Sequence, residues 1–380
     1  MMKRLILCCL LLCLLLSAAW AEDYAGYTID QGKLSQVYPI NTHEAVVTTV
    51  ARDGDDDPRA RILWLKDGQI FRSLAYYPGG AVGSLSTARF LPLPDGSFKV
   101  AVAYHQSGRA ESALYRFTLY DWVENGLQNP VPLPFEAYNF YFTGNYCLVP
   151  GDRTVGHLRL TVADLAGQTL FSGDLPDTEG CWGLYPYAID DQVFVIESSA
   201  PDVDGLTTMR YVCVDHGAVR WQQTLPNYHH LYPDGQGGFI ACRYLFDREP
   251  YNTNYLDHYD GNGRLLGSIS LAGAKLVTHV QAVACAEEGG YILYGTAVAR
   301  SRKVYTAFAL TVDEQMRETG RDVRALSAAY GDYEPHLLQT PDGSVWLSTA
   351  QPVDMARLFP ALIPFSKLPA YPEAIVLTLQ

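Results

Sequence analysis

Short apolar runs separated by turn residues recur along almost the whole chain. Residues 98–104, 193–196, 239–242, 291–294 and 345–347 are the clearest, and all are rich in β-branched and aromatic side chains. Their length and composition predict strands. Several follow the same tight turn, Pro94-Asp95-Gly96, Pro233-Asp234-Gly235 or Pro341-Asp342-Gly343. Proline presets the first turn dihedral there, and glycine accepts a positive φ. Glu287-Glu288-Gly289-Gly290 and the pair Asp190-Asp191 occupy the same place. With weaker copies included, the strands begin near Val46, Phe98, Cys147, Val193, Phe239, Tyr291 and Val345. A second series of strands ends in Asp67, Asp121, Asp164, Asp215, Asp260 and Asp313, usually with a glycine just beyond. Both series advance by roughly 50 residues per step, the spacing of a repeat architecture. Two independent markers that keep one register are not a chance pattern.

Four short strands per repeat at this period predict an all-β fold, a seven-bladed β-propeller of four-stranded antiparallel blades. Six or eight blades are the alternatives, because the first and third repeats are weak copies. Each repeat reads strand A, tight turn, strand B, long loop, strand C, Asp turn, strand D. The sixth repeat shows this at 279–286, 291–299, 304–313 and 316–323. In the seventh, A is expected at 334–339, B at 345–349 and C at 374–379. An N-terminal strand at 26–30 is expected to complete that last blade, removing an edge that would otherwise invite pairing with another chain. No helical period of useful length follows the first 21 residues, although 355–359 has room for one turn. Residues 22–380 are therefore expected to form a single propeller domain.

The turn, strand and Asp-Gly grammar resembles the broad class of secreted bacterial propellers with kelch-like or quinoprotein-like repeats, over nearly all of residues 24–380. The resemblance implies a fold and no particular activity, since propellers carry binding modules, lyases, hydrolases and scaffolds alike. Quinoprotein repeats place a Trp a few residues past the Asp-Gly turn in blade after blade. Here only the run from Asp215 to Trp221 approaches that. The double glycine and paired aromatics of kelch blades are absent. No cofactor is expected.

Lys3 and Arg4 precede an unbroken apolar run over 5–16, and Ala19-Trp20-Ala21 fits a cleavage site. Residues 1–21 thus read as a secretory signal peptide with Glu22 as the first mature residue. Twelve apolar residues extend about 18 Å as a helix, short of a roughly 30 Å bilayer core. No later segment reads as a membrane span, and the product is expected to be secreted or extracytoplasmic. The chain has 380 residues and a net charge of −13, which argues against nucleic acid as a partner. Hydrophobic residues at 48% and aromatics at 12% exclude a disordered chain. Beyond the leader, Cys147, Cys181, Cys213, Cys242 and Cys285 remain. That odd, sparse set is no disulfide scaffold; Cys147, Cys213 and Cys242, within apolar strand-like runs, are expected as buried free thiols, and one disulfide of unassigned pairing stays open.

The A–B and C–D turns share one end of the strands and are short. The B–C and D–A connections share the other end and are long: 52–60, 106–112, 198–207, 246–254 and 348–373, with 76–84, 174–183 and 320–333. Long loops gathered on a rigid scaffold are where binding concentrates. The A strands are expected to line the channel. Counting back five from each tight turn aligns Gln36, Arg89, Tyr138, Tyr185, Tyr228, Ala282 and His336, with Glu136 and Glu334 two residues before their neighbours. The candidate ligand-binding residues at the channel mouth are therefore Arg89, Glu136, Tyr138, Tyr185, Tyr228, Glu334 and His336. Tyrosine combines a flat apolar face with a hydroxyl, which suits a sugar or a peptide.

No Gly-x-Ser-x-Gly elbow, His-Glu-x-x-His helix or sialidase-type Asp box is present. The acidic runs 53–57 and 202–205 lack EF-hand spacing and read as solvated loops. His229 and His230, adjacent on a strand, point to opposite faces, so no metal is expected there. The leading expectation is an exported, non-catalytic module that binds an unknown protein or glycan partner through the long-loop face. A carbohydrate-active enzyme at the channel mouth is the alternative. It would be a glycoside hydrolase using Glu136 and Glu334, or a lyase using the Tyr, His and Arg ring. A structural cell-envelope module is the third.

Overall fold

The computed structural model describes residues 33–41, 44–50, 60–66, 69–76, 86–93, 97–105, 115–123, 126–137, 140–143, 146–150, 159–175, 182–191, 193–199, 208–245, 253–272, 276–299, 304–326, 336–339, 345–349, 352–353, 357–358, 361–368, 370 and 378–379. Among the described residues the regular elements are all strands, apart from one 3-10 turn at Phe365–Lys367. The signal segment, the strand expected at 26–30, Tyr138, Glu334, Cys181 and the acidic runs 53–57 and 202–205 lie outside the described residues.

Six sheets are built on four-stranded antiparallel meanders, five of them four-stranded and one carrying a fifth strand at its edge. Blade 1 is β1 (Lys33–Asn41), β2 (Glu44–Val50), β3 (Ala60–Lys66) and β4 (Gln69–Tyr76). Blade 2 is β5 (Ser86–Pro92), β6 (Phe98–His105), β7 (Tyr115–Val123) and β8 (Gly126–Ala137). Blade 3 is β9 (Tyr141–Thr143), β10 (Tyr146–Pro150), β11 (Arg159–Asp164) and β12 (Thr169–Asp174). Blade 4 is β13 (Trp182–Asp190), β14 (Val193–Ser199), β15 (Thr208–Asp215) and β16 (Ala218–Pro226). Blade 5 is β17 (His230–Pro233), β18 (Phe239–Leu245), β19 (Thr253–Tyr259) and β20 (Leu265–Ala272). Blade 6 is β21 (Leu276–Cys285), β22 (Tyr291–Ala299), β23 (Val304–Val312) and β24 (Glu318–Ala325). First strands of successive blades meet one another, β9 with β13, β13 with β17 and β17 with β21, so they surround the axis.

The structure has six such blades rather than the expected seven. The seventh repeat makes a three-stranded sheet of β25 (His336–Gln339), β26 (Val345–Thr349) and β29 (Ala361–Pro364), with a separate hairpin of β27 (Pro352–Val353) and β28 (Arg357–Leu358) between its last two strands. Its third strand is β29, not the expected 374–379. The cause is local. Pro364 ends the ladder because it has no N–H to donate, and Phe365 and Leu368 then bury against blade 6. Arg324 of β24 donates from Nη1 to the Leu368 carbonyl at 2.9 Å. The chain thereby runs past the outer strand of blade 6, and β30 (Thr378–Leu379) pairs with the open edge of β20 in blade 5.

Successive sheets are held by apolar cores between them. Val46, Ile62, Phe90 and Val100 join blades 1 and 2. Phe117, Phe140 and Cys147 join blades 2 and 3, and Leu148, Leu160, Phe194 and Ile196 join blades 3 and 4. Tyr211, Cys213, Phe239 and Ala241 join blades 4 and 5, and Ile240, Leu256, Leu293 and Phe308 join blades 5 and 6. In a propeller both faces of a blade are buried, so alternate side chains serve opposite neighbours. Cys147, Cys213 and Cys242 are buried as expected, whereas Cys285 is exposed. Burial pushes the Cys213 and Cys242 thiols up to about 12.

The repeated Asp has a physical role. Oδ1 of Asp164, Asp260 and Asp313 each accepts the backbone N–H groups two and four residues on, at 2.8–2.9 Å. The same carboxylate caps thus define the C–D turn in blades 3, 5 and 6. Asp260→Ala leaves both N–H groups without that acceptor and is expected to cost about 1 kcal/mol. A fall in the urea midpoint at unchanged slope checks it.

Candidate functional site

The sequence-aligned ring is only partly assembled. Tyr185 stands on inner strand β13 and is 55% exposed, as a channel residue should be. Arg89 and His336 lie on inner strands β5 and β25. Glu136 does not: it lies on β8, the outermost strand of blade 2, opposite Arg116. Pro130, Pro132 and Pro134 explain the slip. Prolines at alternate positions remove N–H groups from one side of a strand, which only an edge tolerates. The outer strand of blade 2 therefore continues to Ala137, and the inner strand of blade 3 starts at Tyr141. Tyr228 is buried at 1% exposure. Its hydroxyl donates to Asp257 at 2.5 Å and meets the Tyr259 hydroxyl at 2.7 Å, while Ser268 donates to the other Asp257 oxygen. It is a core residue that fixes the link between blades 4 and 5.

The inner strands of blades 3, 4 and 5 bring together an arc that counting did not find. The Tyr141 and Tyr185 rings meet edge to face at 6.2 Å. Tyr187 and His230 do so at 5.8 Å, and His230 lies 4.5 Å from Tyr232. The Tyr232 hydroxyl donates to the Val280 carbonyl at 3.1 Å, tying the arc to blade 6. Tyr185 and His230 sit near the starts of their strands, which places them toward the long-connection end of the channel. His230 reaches solvent, yet the packed rings desolvate it and lower its pKa. Most of the long connections themselves lie outside the described residues.

Behind the arc is Glu197 on β14, opposite Tyr185 on one side and Tyr211 on the other. It is 7% exposed. Burial pushes its carboxyl up to about 7, so both protonation states are populated near neutral pH, a property often found at functional sites. Burial, and then the Glu197 charge, raise the Tyr187 and Tyr211 hydroxyls. In the sequence Glu197 is a carboxylate directly after the apolar run 193–196. Next to it, Ser198 is 1% exposed and its Oγ has no hydrogen-bond partner.

The opposite end carries a second polar cluster. His258 lies between Asp234 and blade 6: Nε2 is 3.0 Å from Asp234 Oδ2 and 3.1 Å from the Tyr291 hydroxyl, and Nδ1 is 3.0 Å from the Glu314 carbonyl. Both ring nitrogens face acceptors, so the geometry calls for imidazolium. The Asp234 Oδ1 accepts the Gln236 and Gly238 N–H groups. A cavity of about 200 Å³ lined by Asp234, His258, Asp260, Leu266 and Glu314 opens beside this cluster. His258 bonds to Asp234 and to Tyr291, and with the Glu314 carbonyl they join blades 5 and 6. Among the described residues no group of three or more His, Cys, Asp or Glu is arranged to hold a metal ion. No helix among them is long and apolar enough to cross a membrane.

No protein-family model matches the chain, and no curated protein matches it. Among solved structures it is similar to a post-proline cleaving enzyme from Rickettsia typhi, with TM-score 0.55 and 8% identity, covering 93% of this chain and 54% of that one. It is also similar to prolyl oligopeptidase B from Galerina marginata, with TM-score 0.49 and 8% identity, covering 88% and 52%. The chain spans about half the length of these proteins. At such identity the likeness bears on the fold alone, and the fold is a β-propeller.

Proposed function

We propose that this chain is an exported propeller that binds a polar ligand with apolar faces, without transforming it, at the long-connection mouth of its channel. The observation that carries the reading is the aromatic arc centred on Tyr185, a large side chain left exposed on an inner strand. Concave sites with aromatic walls and a few polar groups are the usual form of a ligand site. Export rests on residues 1–21, and a mature N-terminus at Glu22 in the mass spectrum of the secreted protein is the expected result.

Because Tyr185 is exposed, Tyr185→Ala is expected to leave the melting temperature within about 2 °C, in line with a surface change. A ligand from a panel of glycans and peptides that raises the melting temperature of the parent by mass action should lose that effect in the variant. An unchanged ligand shift in Tyr185→Ala would sink the reading. A carbohydrate-active enzyme is the second reading. It rests on Glu197, whose buried carboxyl near neutrality has the acid–base character such chemistry needs. Turnover of a glycan abolished by Glu197→Gln would favour it.

A further inference from the structure

Two ionisable side chains hold the same place in neighbouring blades. Glu197 and Arg243 are each the fifth residue of the second strand of their blade. Val102 and Gly295 hold that place in blades 2 and 6. Val193 and Val195 of blade 4 share a core with Phe239 and Ala241 of blade 5. Strand alternation continues those two faces to Glu197 and to Arg243. The acid and the base therefore both point into the blade 4–blade 5 interface, toward the long-connection end.

They do not pair. Among the described residues neither Glu197 nor Arg243 makes an ion pair, and the Arg243 Nε is buried with no hydrogen-bond partner. Its guanidinium lies over the Tyr255 ring, 4.8 Å from the centroid. A buried N–H without an acceptor is costly, and so is a buried carboxyl without a cation. Two such groups on facing surfaces, beside an exposed aromatic arc, leave unmet hydrogen-bonding capacity of opposite kinds. A ligand that meets both must offer an acceptor, best a carboxylate, to the guanidinium. It must also offer groups that donate or accept to Glu197. Sugar hydroxyls do both, and a sugar ring adds a face for Tyr185. A peptide would ask instead for deep side-chain pockets, and the cavity beside Asp234 lies at the other end.

We propose that the interface of blades 4 and 5 at the channel mouth recognises an acidic sugar unit, its carboxylate held by Arg243 and its hydroxyls by Glu197 and the tyrosines of the arc. This rests on the reading of the arc as the ligand site and names the class of ligand it takes. The groups facing Glu197 are Tyr185 and Tyr187 of β13 and Tyr211 of β15. Burial holds its carboxyl near neutrality, so raising the pH ionises it and sets it against a ligand carboxylate.

The test is calorimetric binding of trigalacturonate, its methyl ester and a tripeptide with a free carboxyl terminus to the full chain, at pH 6 and pH 8. Trigalacturonate should bind more tightly at pH 6 than at pH 8. The ester should bind at least about tenfold more weakly, as loss of a charged hydrogen bond requires. Arg243→Gln should lose the same factor and Arg243→Lys recover part of it, while Glu197→Gln should flatten the pH dependence. Melting temperatures of the variants separate lost binding from lost folding. Equal binding of acid and ester, or tighter binding of the tripeptide, overturns the acidic-sugar assignment yet leaves the arc standing if Tyr185→Ala still abolishes binding. No dependence on Tyr185 with any probe overturns both.

Discussion

Replacing Gly290 by alanine is expected to destabilise the protein several-fold more than the same change at Gly289. Both residues lie in the turn between β21 and β22, where Gly289 has φ 92° and Gly290 has φ 79°. In that region an L-residue costs about 1–2 kcal/mol. For Gly289 this is nearly the whole cost, since a Cβ there would meet nothing within 4 Å. At Gly290 a Cβ would sit well inside contact with the Val312 carbonyl oxygen, and close to the Asp313 backbone. These are main-chain atoms of the neighbouring strand, held by the ladder, and they cannot swing aside. Overpacking of this kind adds about 1–3 kcal/mol. The total for Gly290→Ala is then about 2–5 kcal/mol, partly offset in both variants by lower entropy of the unfolded chain. Urea unfolding of the two variants side by side checks the ratio. Equal midpoints would mean that the β22–β23 ladder yields more readily than its packing implies.

The second large effect is expected at His258. Its side chain is 3% exposed and that of its partner Asp234 is 4% exposed. His258→Leu leaves the Asp234 carboxylate buried without its cation, at a cost of about 3–5 kcal/mol. The pH dependence has a definite sign. Burial alone would lower the His258 pKa, but the hydrogen bonds to Asp234 and to the Glu314 carbonyl outweigh it and raise the value. Burial likewise opposes ionisation of Asp234, and the bonds from His258 and from the Gln236 and Gly238 amides outweigh it and lower the value. A raised histidine contributes stability that is complete below its unfolded pKa of about 6.5 and is lost as pH rises through the folded value. A lowered carboxyl contributes stability that is complete above about 3.9 and is lost as pH falls through its folded value. The pair is therefore fully stabilising from about pH 4 to 6.5. The stability gap between parent and variant should be widest there and should narrow as pH rises through the folded His258 value. Tyr291, Cys285 and Glu314 of blade 6 surround the pair, and burial keeps the Tyr291 phenol protonated over that range. A gap that widens toward alkaline pH would contradict the imidazolium.

The repeat grammar was legible because its causes are local. The Asp164, Asp260 and Asp313 caps act on amides only two and four residues away, so the sequence displays them directly. Strands β21 to β24 lie close to their expected positions for the same reason, since alternation and turn residues are read within a short window. Tyr185 was found by counting along one such strand. The count failed where a strand outran its expected length, at Glu136, because the three prolines that mark β8 as an edge also disguise it as a loop.

Other features depended on segments far apart in the chain. Tyr228 reads as a channel residue until Asp257 and Tyr259, some thirty positions on, capture its hydroxyl. Glu197 is set apart by its surroundings rather than its neighbours in sequence, being flanked by Tyr185 and Tyr211 from two other strands. That it shares one interface with Arg243 follows only once blades 4 and 5 stack. The sequence alone determined the fold class, the strand period and the turn chemistry, which follow from side-chain alternation and from short-range hydrogen bonds. Only the tertiary structure decided that six blades are complete, that the strand at Thr378–Leu379 joins blade 5, and which polar groups are buried. Those outcomes turn on which distant edges and faces meet, and the free energy of that choice resides in desolvation and pairing between segments.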